Sequence, residues 1–153
     1  MDIVRGINQS NLMPNQQNKQ IIEVVALALR NTVSGRFLLA RRKAGGSGAG
    51  EWEFPGGKLE VGESPQAGLV REIQEELLFD LSGRSLFRVG SHVHNYSGRL
   101  IRIELWLAEV DFSPEFQLVD HDEVNWYELS QMSEVNLSEG DKTFISLLNS
   151  YSR

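Results

Sequence analysis

The stretch that most constrains this chain is a glycine loop followed closely by an acidic helix: Phe54-Pro55-Gly56-Gly57-Lys58, then Ser64-Pro65, then Arg71-Glu72-Ile73-Gln74-Glu75-Glu76. Ser64 can cap a helix and Pro65 suits its first position, while Ala67, Val70, Ile73 and Leu77 recur at helical spacing; together they predict a helix from about Pro65 to Leu78. At about 100° per residue, Glu72, Glu75 and Glu76 share one face, opposite the apolar stripe. Like charges so spaced cost a helix a few tenths of a kcal/mol each, and a hard divalent cation, Mg²⁺ or Mn²⁺, is the natural compensation. Taken alone, Glu-Xaa-Xaa-Glu-Glu also describes an ordinary solvated face. The glycine loop upstream, where backbone can approach a metal or phosphate closely, favours a single shared site.

Around this stretch the chain alternates strands and helices. Ile21 to Leu29 and Arg36 to Arg41 predict a hairpin about Asn31-Thr32-Val33-Ser34-Gly35, and Lys43 to Gly50 a flexible, glycine-rich loop. Ser85 to Tyr96 and Leu100 to Val110 predict a second hairpin joined by Ser97-Gly98-Arg99, the latter strand alternating Ile101, Ile103, Leu105 and Leu107 with polar neighbours. A short strand over Glu123 to Leu129 follows, then a terminal helix from about Ser138 with Phe144, Leu147 and Leu148 on its apolar face. This interleaving over 153 residues predicts a single layered α/β domain, residues 21–153, behind a mobile arm, residues 1–20, rich in Asn and Gln.

Composition narrows the chemistry. With no cysteine, disulfide scaffolds, thiolate metal sites and cysteine nucleophiles are excluded. The longest apolar run, Ile21 to Leu29, is too short to span a membrane, and nothing resembles a secretory leader, so a cytoplasmic location is expected. A net charge of −6 leaves no general attraction for a nucleic-acid polymer, so an anionic substrate must be held by local cations.

Gly57, five residues, Glu63, seven residues, then Arg71-Glu72-Ile73-Xaa-Glu75-Glu76 resembles the Nudix box of hydrolases acting on nucleoside-diphosphate linkages. Leu78 departs from it, standing where the family has glycine, so the helix is expected to run on towards Ser82-Gly83. The resemblance covers about Ile22 to Leu148 and is closest to the MutT branch. Arg41-Arg42, Glu53 to Lys58, Tyr96 to Arg99, and Asp120-His121-Xaa-Glu123-Xaa-Xaa-Trp126 carry it beyond the box. It implies an α/β/α sandwich with a mixed sheet flanked by helices, and Mg²⁺-dependent attack of water on a nucleoside triphosphate, giving nucleoside monophosphate and pyrophosphate.

By the same resemblance, Glu72 is the candidate base, and Glu75, Glu76, the Gly56 carbonyl and Asp120 are candidate metal ligands, with exchange between Glu72 and the ligand roles left open. Glu63 and Arg71 are expected to form a structural pair. Arg42 and Arg99 are candidate phosphate forks, Phe54 and Tyr96 candidate stacking partners for a base, and Asp141 the candidate reader of its edge. His121 is expected to support the site rather than ligate, His92 and His94 to be plain strand residues, and Trp126 to be packing. Ionised, Asp141 only accepts hydrogen bonds; protonated, it also donates. Two substrate readings stay open, an oxidised purine nucleotide such as 8-oxo-dGTP and a pyrimidine such as dCTP or CTP. ADP-ribose, dinucleoside polyphosphates and 5′-end RNA rank lower, and a nucleotide-binding domain without catalysis is the alternative of a different class.

Overall fold

The computed structural model describes residues 20–151. Of the expected arm, all but Gln20 lies outside the described residues. Seven strands form one mixed sheet: β1 (Ile21–Asn31), β2 (Phe37–Arg42), β3 (Trp52–Glu53), β4 (Gly56–Lys58), β5 (Phe87–Tyr96), β6 (Arg99–Val110) and β7 (His121–Tyr127). The helices are α1 (Pro65–Leu77), α2 (Glu139–Lys142) and α3 (Phe144–Asn149), with a 3₁₀ turn over Leu129–Glu134.

β1 runs parallel to β6 along its whole length, from Ile21 opposite Leu100 to Asn31 opposite Val110. Val25 to Leu29 are all buried, the continuous apolar run expected of a strand covered on both faces. On one face α1 packs Leu69, Ile73 and Leu77 against Val25, Leu27, Leu29, Leu38 and Trp106. On the other, Phe144, Leu148, Met132 and Leu137 cover Ala28, Phe37, Leu39 and Leu105. Helix, sheet and helix are thus stacked, the α/β/α sandwich expected.

Four local expectations are corrected. The first hairpin turns at Asn31, whose Oδ1 accepts from the Val33 amide at 2.9 Å, but β1 and β2 pair only at Arg30 and Phe37. They then splay, because β2 pairs with β3 and β7 while β4 takes the vacated side of β1 at Val24 to Ala26. α1 stops at Leu77 rather than running on, since Leu78 itself adopts the left-handed conformation (φ 53°) normally taken by glycine. Its stripe begins at Leu69, with Ala67 exposed. The terminal helix is two short ones broken at Thr143, and Leu147 is 39% exposed. Along β6, Trp106 and Ala108 are buried beneath α1, so the polar side of that strand is confined to Arg102 and Glu104.

Candidate active site

Two close approaches build the site. Gly56 and Gly57 lie on β4 opposite Ala26 and Val25. A Cβ on Gly56 would overlap the Val25 carbonyl, and one on Gly57 the Glu72 carboxylate, so only glycine lets this strand sit between β1 and α1. Gly68 likewise leaves room for Leu59 and Glu63, drawing the loop before α1 onto the helix.

Arg71 fastens that loop. Its Nε donates to Glu63 Oε2 at 2.7 Å and its Nη2 to Glu63 Oε1 at 2.8 Å, a two-point fork; Nη2 also donates to the Lys58 carbonyl and Nη1 to Glu72 and Glu75. The Arg71 hydrogen bond, with that of the Glu60 amide, lowers the Glu63 carboxyl to about 2. The expected pair is therefore a clasp between loop and helix.

The acidic face is less uniform than the helical spacing implies. Glu76 lines the cavity beside β4 together with Gly56 and Asp120, while Glu72 lies behind Gly57, its side chain 13% exposed. Glu75 is 58% exposed, turned towards Arg71 and outside the cavity wall. Burial, then the charges of Glu72, Glu53 and Asp120, push the Glu76 carboxyl up to about 8, against the opposing hydrogen bond from the Gly56 amide. Burial also raises Glu72, partly offset by Arg71. Glu76 Oε2 is buried without a partner. An unsatisfied carboxylate oxygen among like charges, beside a glycine loop, fits a hard cation. The ligand set is open: among the described residues no three His, Asp or Glu side chains form a preassembled group.

From this point a cavity of about 1040 Å³ extends along β4, the loop after β2, and the ends of β5 and β6 to α2. Arg42 and Arg99 both line it. Arg42 is already engaged, its Nε donating to Glu53 Oε1 at 2.7 Å and its Nη1 to the Ser47 carbonyl at 2.9 Å. Arg41 turns away to Asp122 at 2.7 Å. Arg99 is exposed, and Lys58 joins it on the wall as a second exposed cation.

Phe54 belongs to the core at 3% exposure, and its amide donates to Asp141 Oδ2 at 3.1 Å. Tyr96 keeps its ring on the wall, while its hydroxyl is bonded to Ser138, just before α2, and to the Gly140 amide within it. Asp141 is 5% exposed, and burial pushes its carboxyl up to about 8; Glu53 adds to the rise and the Phe54 amide and Arg42 oppose it.

Glu53, Lys58 and Ser138 escaped the sequence reading of roles. Glu53 is a hub, receiving Arg42 on one oxygen and His121 Nε2 on the other at 2.9 Å. His121 is buried beside Asp120, supporting the site as expected rather than facing out as a ligand. No local signal distinguishes Glu53 from Glu51. Only the β2 register, Ala40 opposite Glu53 and Arg42 opposite His121, brings the three together. His92 and His94 stack along β5 towards Tyr96, and Trp126 packs beside the α1 core, as expected.

Comparison with known proteins agrees with this geometry. Residues 20–148 match the NUDIX domain family model. The chain is 36% identical to the CTP pyrophosphohydrolase of Escherichia coli over 122 residues, covering 80% of this chain and 87% of that protein. It is 34% identical to the 8-oxo-dGTP diphosphatase of the same species over 85 residues, 56% of this chain and 64% of that one. The crystal structure of a MutT protein from Methanosarcina mazei superposes with a TM-score of 0.79 at 24% identity, covering 90% of this chain and 99% of that one, which bears on the fold. The clasp of a glycine loop onto an acidic helix recurs with the sequence and fold of these proteins, and the chain belongs to the Nudix hydrolase family.

Proposed function

We propose that this protein is a Mg²⁺-dependent nucleoside triphosphate pyrophosphohydrolase that releases nucleoside monophosphate and pyrophosphate, with Mn²⁺ as an alternative ion. The observation that carries the reading is the lining of one cavity, which holds both an unpartnered Glu76 oxygen with Gly56 and Asp120 and the buried Asp141 of α2. A nucleotide laid between them presents phosphates to the carboxylate end and its base to α2. Glu76, Asp120 and the Gly56 carbonyl would hold the ion, with Glu72 behind Gly57 and Glu75 further out, both on Arg71. When bound, Mg²⁺ supplies charge neutralisation on the phosphates and acidifies a coordinated water. Lys58 and Arg99 meet the phosphate oxygens, and Glu72 orients the attacking water and accepts its proton. The water oxygen forms the new bond to phosphorus as the bridging P–O bond breaks, and pyrophosphate leaves.

Base choice follows from Asp141. Protonated at neutral pH, its carboxyl both donates and accepts. Cytosine offers a matching pair, the N4 amino donor beside the N3 acceptor, and 8-oxoguanine offers N7–H beside O6. Unmodified guanine presents two acceptors there, N7 and O6. The reading therefore covers dCTP, CTP and 8-oxo-dGTP; CTP and 8-oxo-dGTP are the substrates in the names of the two bacterial relatives. It places a single domain, residues 21–153, on the free nucleotide pool of the cytoplasm. Among the described residues no helix is long and apolar enough to cross a membrane.

Pyrophosphate release measured across 8-oxo-dGTP, dGTP, dCTP, CTP, ADP-ribose and triphosphorylated RNA, with and without EDTA, tests the proposal. Turnover of 8-oxo-dGTP or a cytosine nucleotide well above dGTP, abolished by EDTA, is expected. Nucleotide binding with no turnover in Mg²⁺ or Mn²⁺ would instead establish a binding domain without catalysis.

A further inference from the structure

The segment that carries Asp141 is held from two walls. From β3, the Trp52 amide donates to the Asn136 carbonyl and the Ser138 amide to the Trp52 carbonyl, both at 2.8 Å, and the Phe54 amide reaches Asp141 itself. From β5, a single atom does the work: Tyr96 Oη accepts from the Gly140 amide at 2.8 Å and lies 3.1 Å from Ser138 Oγ, to which its hydroxyl proton can be given. The fit is close, for a Cβ on Gly140 would overlap Tyr96 Oη and come within 2.8 Å of Ile103 Cδ1. The Tyr96 ring is backed by His94, centroids 4.5 Å apart. Immediately after Tyr96, Ser97 and Gly98 turn with positive φ into Arg99. One phenolic oxygen thus joins the turn bearing the phosphate-facing arginine to the turn bearing the base-facing acid.

We propose that the Tyr96 hydroxyl is a specificity-setting positioning residue: it fixes where α2 presents Asp141, and so governs which base is accepted, without itself reading the base. This rests on the reading of Asp141 given above. A hydrogen bond to a base edge weakens steeply with misalignment, so freedom of α2 should erode discrimination between bases before it erodes phosphate chemistry.

The test compares Y96F, D141A and the double variant, since an alanine removes the reading group that an asparagine would keep. Y96F keeps the ring and its packing while removing both hydrogen bonds. The preference for the better of 8-oxo-dGTP and dCTP over dGTP, as a ratio of kcat/KM, is expected to shift about tenfold towards equality in Y96F, with inhibition by base-free inorganic tripolyphosphate changing less than twofold. Adding Y96F to D141A should change the ratio no further. Independently of turnover, hydrogen exchange should quicken at least tenfold at the Gly140 amide, bonded to Tyr96, and at the Phe54 amide, bonded only through Asp141. A ratio within twofold of the parent, a Y96F effect that multiplies with that of D141A, or an unchanged Phe54 amide would each overturn the proposal. If the parent protein cleaves neither nucleotide, the functional reading fails by itself, and exchange at Phe54 decides the link between Tyr96 and Asp141: quickened supports it, unchanged overturns it.

Discussion

The charge of Asp141 is decided by its enclosure. An aspartate with an ordinary value of 3.8 is neutral in the folded protein up to about pH 8, but ionised in the unfolded chain above pH 4. Between those limits the native state holds a proton that the unfolded state lacks, so this residue makes stability fall as pH rises. Denaturant titrations from pH 5 to 9 should show a decline in the parent protein that D141N flattens. Substrate preference should move with the same proton: the parent preference in kcat/KM for dCTP over dGTP should rise across a midpoint near pH 8, where the ionised carboxylate would face the two guanine acceptors, while D141N stays level. Glu76 is raised in the same way, so without metal it meets Glu72, Glu53 and Asp120 as a charge only above about pH 8. E76Q removes that repulsion, so without metal at pH 9 it should melt higher than the parent, while kcat with Mg²⁺ falls on the order of 100-fold. Equal melting temperatures together with full turnover would refute both halves. The acidic residues were legible in the sequence because helical spacing gathers them. Glu53 was not, because its partners Arg42 and His121 meet it only through pairing of three separate strands.

At the level of elements, the end of α1 departs furthest from expectation. Leu78 takes a left-handed conformation that costs an ordinary residue about 1–2 kcal/mol, with its side chain 48% exposed. Its amide nevertheless closes the helix on the Gln74 carbonyl at 3.1 Å. L78G should relieve more strain than it loses in packing, raising stability by about 1 kcal/mol, or roughly 2–4 °C in a thermal melt. A lower melting temperature would mean that the leucine packs more than it strains. The start of α1 was readable from Ser64 and Pro65, since capping is local chemistry: Ser64 Oγ accepts from the Ala67 amide at 3.2 Å. The second hairpin was readable for the same reason, its turn being written in Ser97-Gly98. The splaying of β1 from β2 had no local sign, because it is imposed by β4 and β7 competing for their edges. Nor did periodicity reveal the break at Thr143, since Phe144 and Leu148 keep helical spacing across α3 alone.

Across the whole molecule, a net charge of −6 opposes the approach of a triphosphate, so capture depends on a few cations at the cavity. R99A and K58A should each raise KM severalfold with a smaller change in kcat, and R99K should restore only part of the loss, because an ammonium lacks the planar fork. R42A should act differently, since it also leaves the carboxylate of Glu53 without its guanidinium and loosens the loop at Ser47; its kcat should fall as well as its KM rise. Steady-state kinetics on the three alanine variants would separate these roles, and a common pattern in all three would dissolve the distinction.

The parallel union of β1 and β6 also has a consequence for how the protein is made. Glu23 and Arg102, bonded at 2.7 Å, are 79 positions apart, so the first strand of the sheet waits for one of the last. A ribosome delivers Leu69, Ile73 and Leu77 well before Trp106, one of the residues they pack against. Until then the nascent chain carries an uncovered greasy helix and an unpaired strand edge, the two features that attract chaperones and promote clumping. Nascent chains stalled at Gly98 should therefore be cut readily by protease, and those stalled with Leu148 clear of the exit tunnel, so that β7 and the cover of the second face are present, should resist.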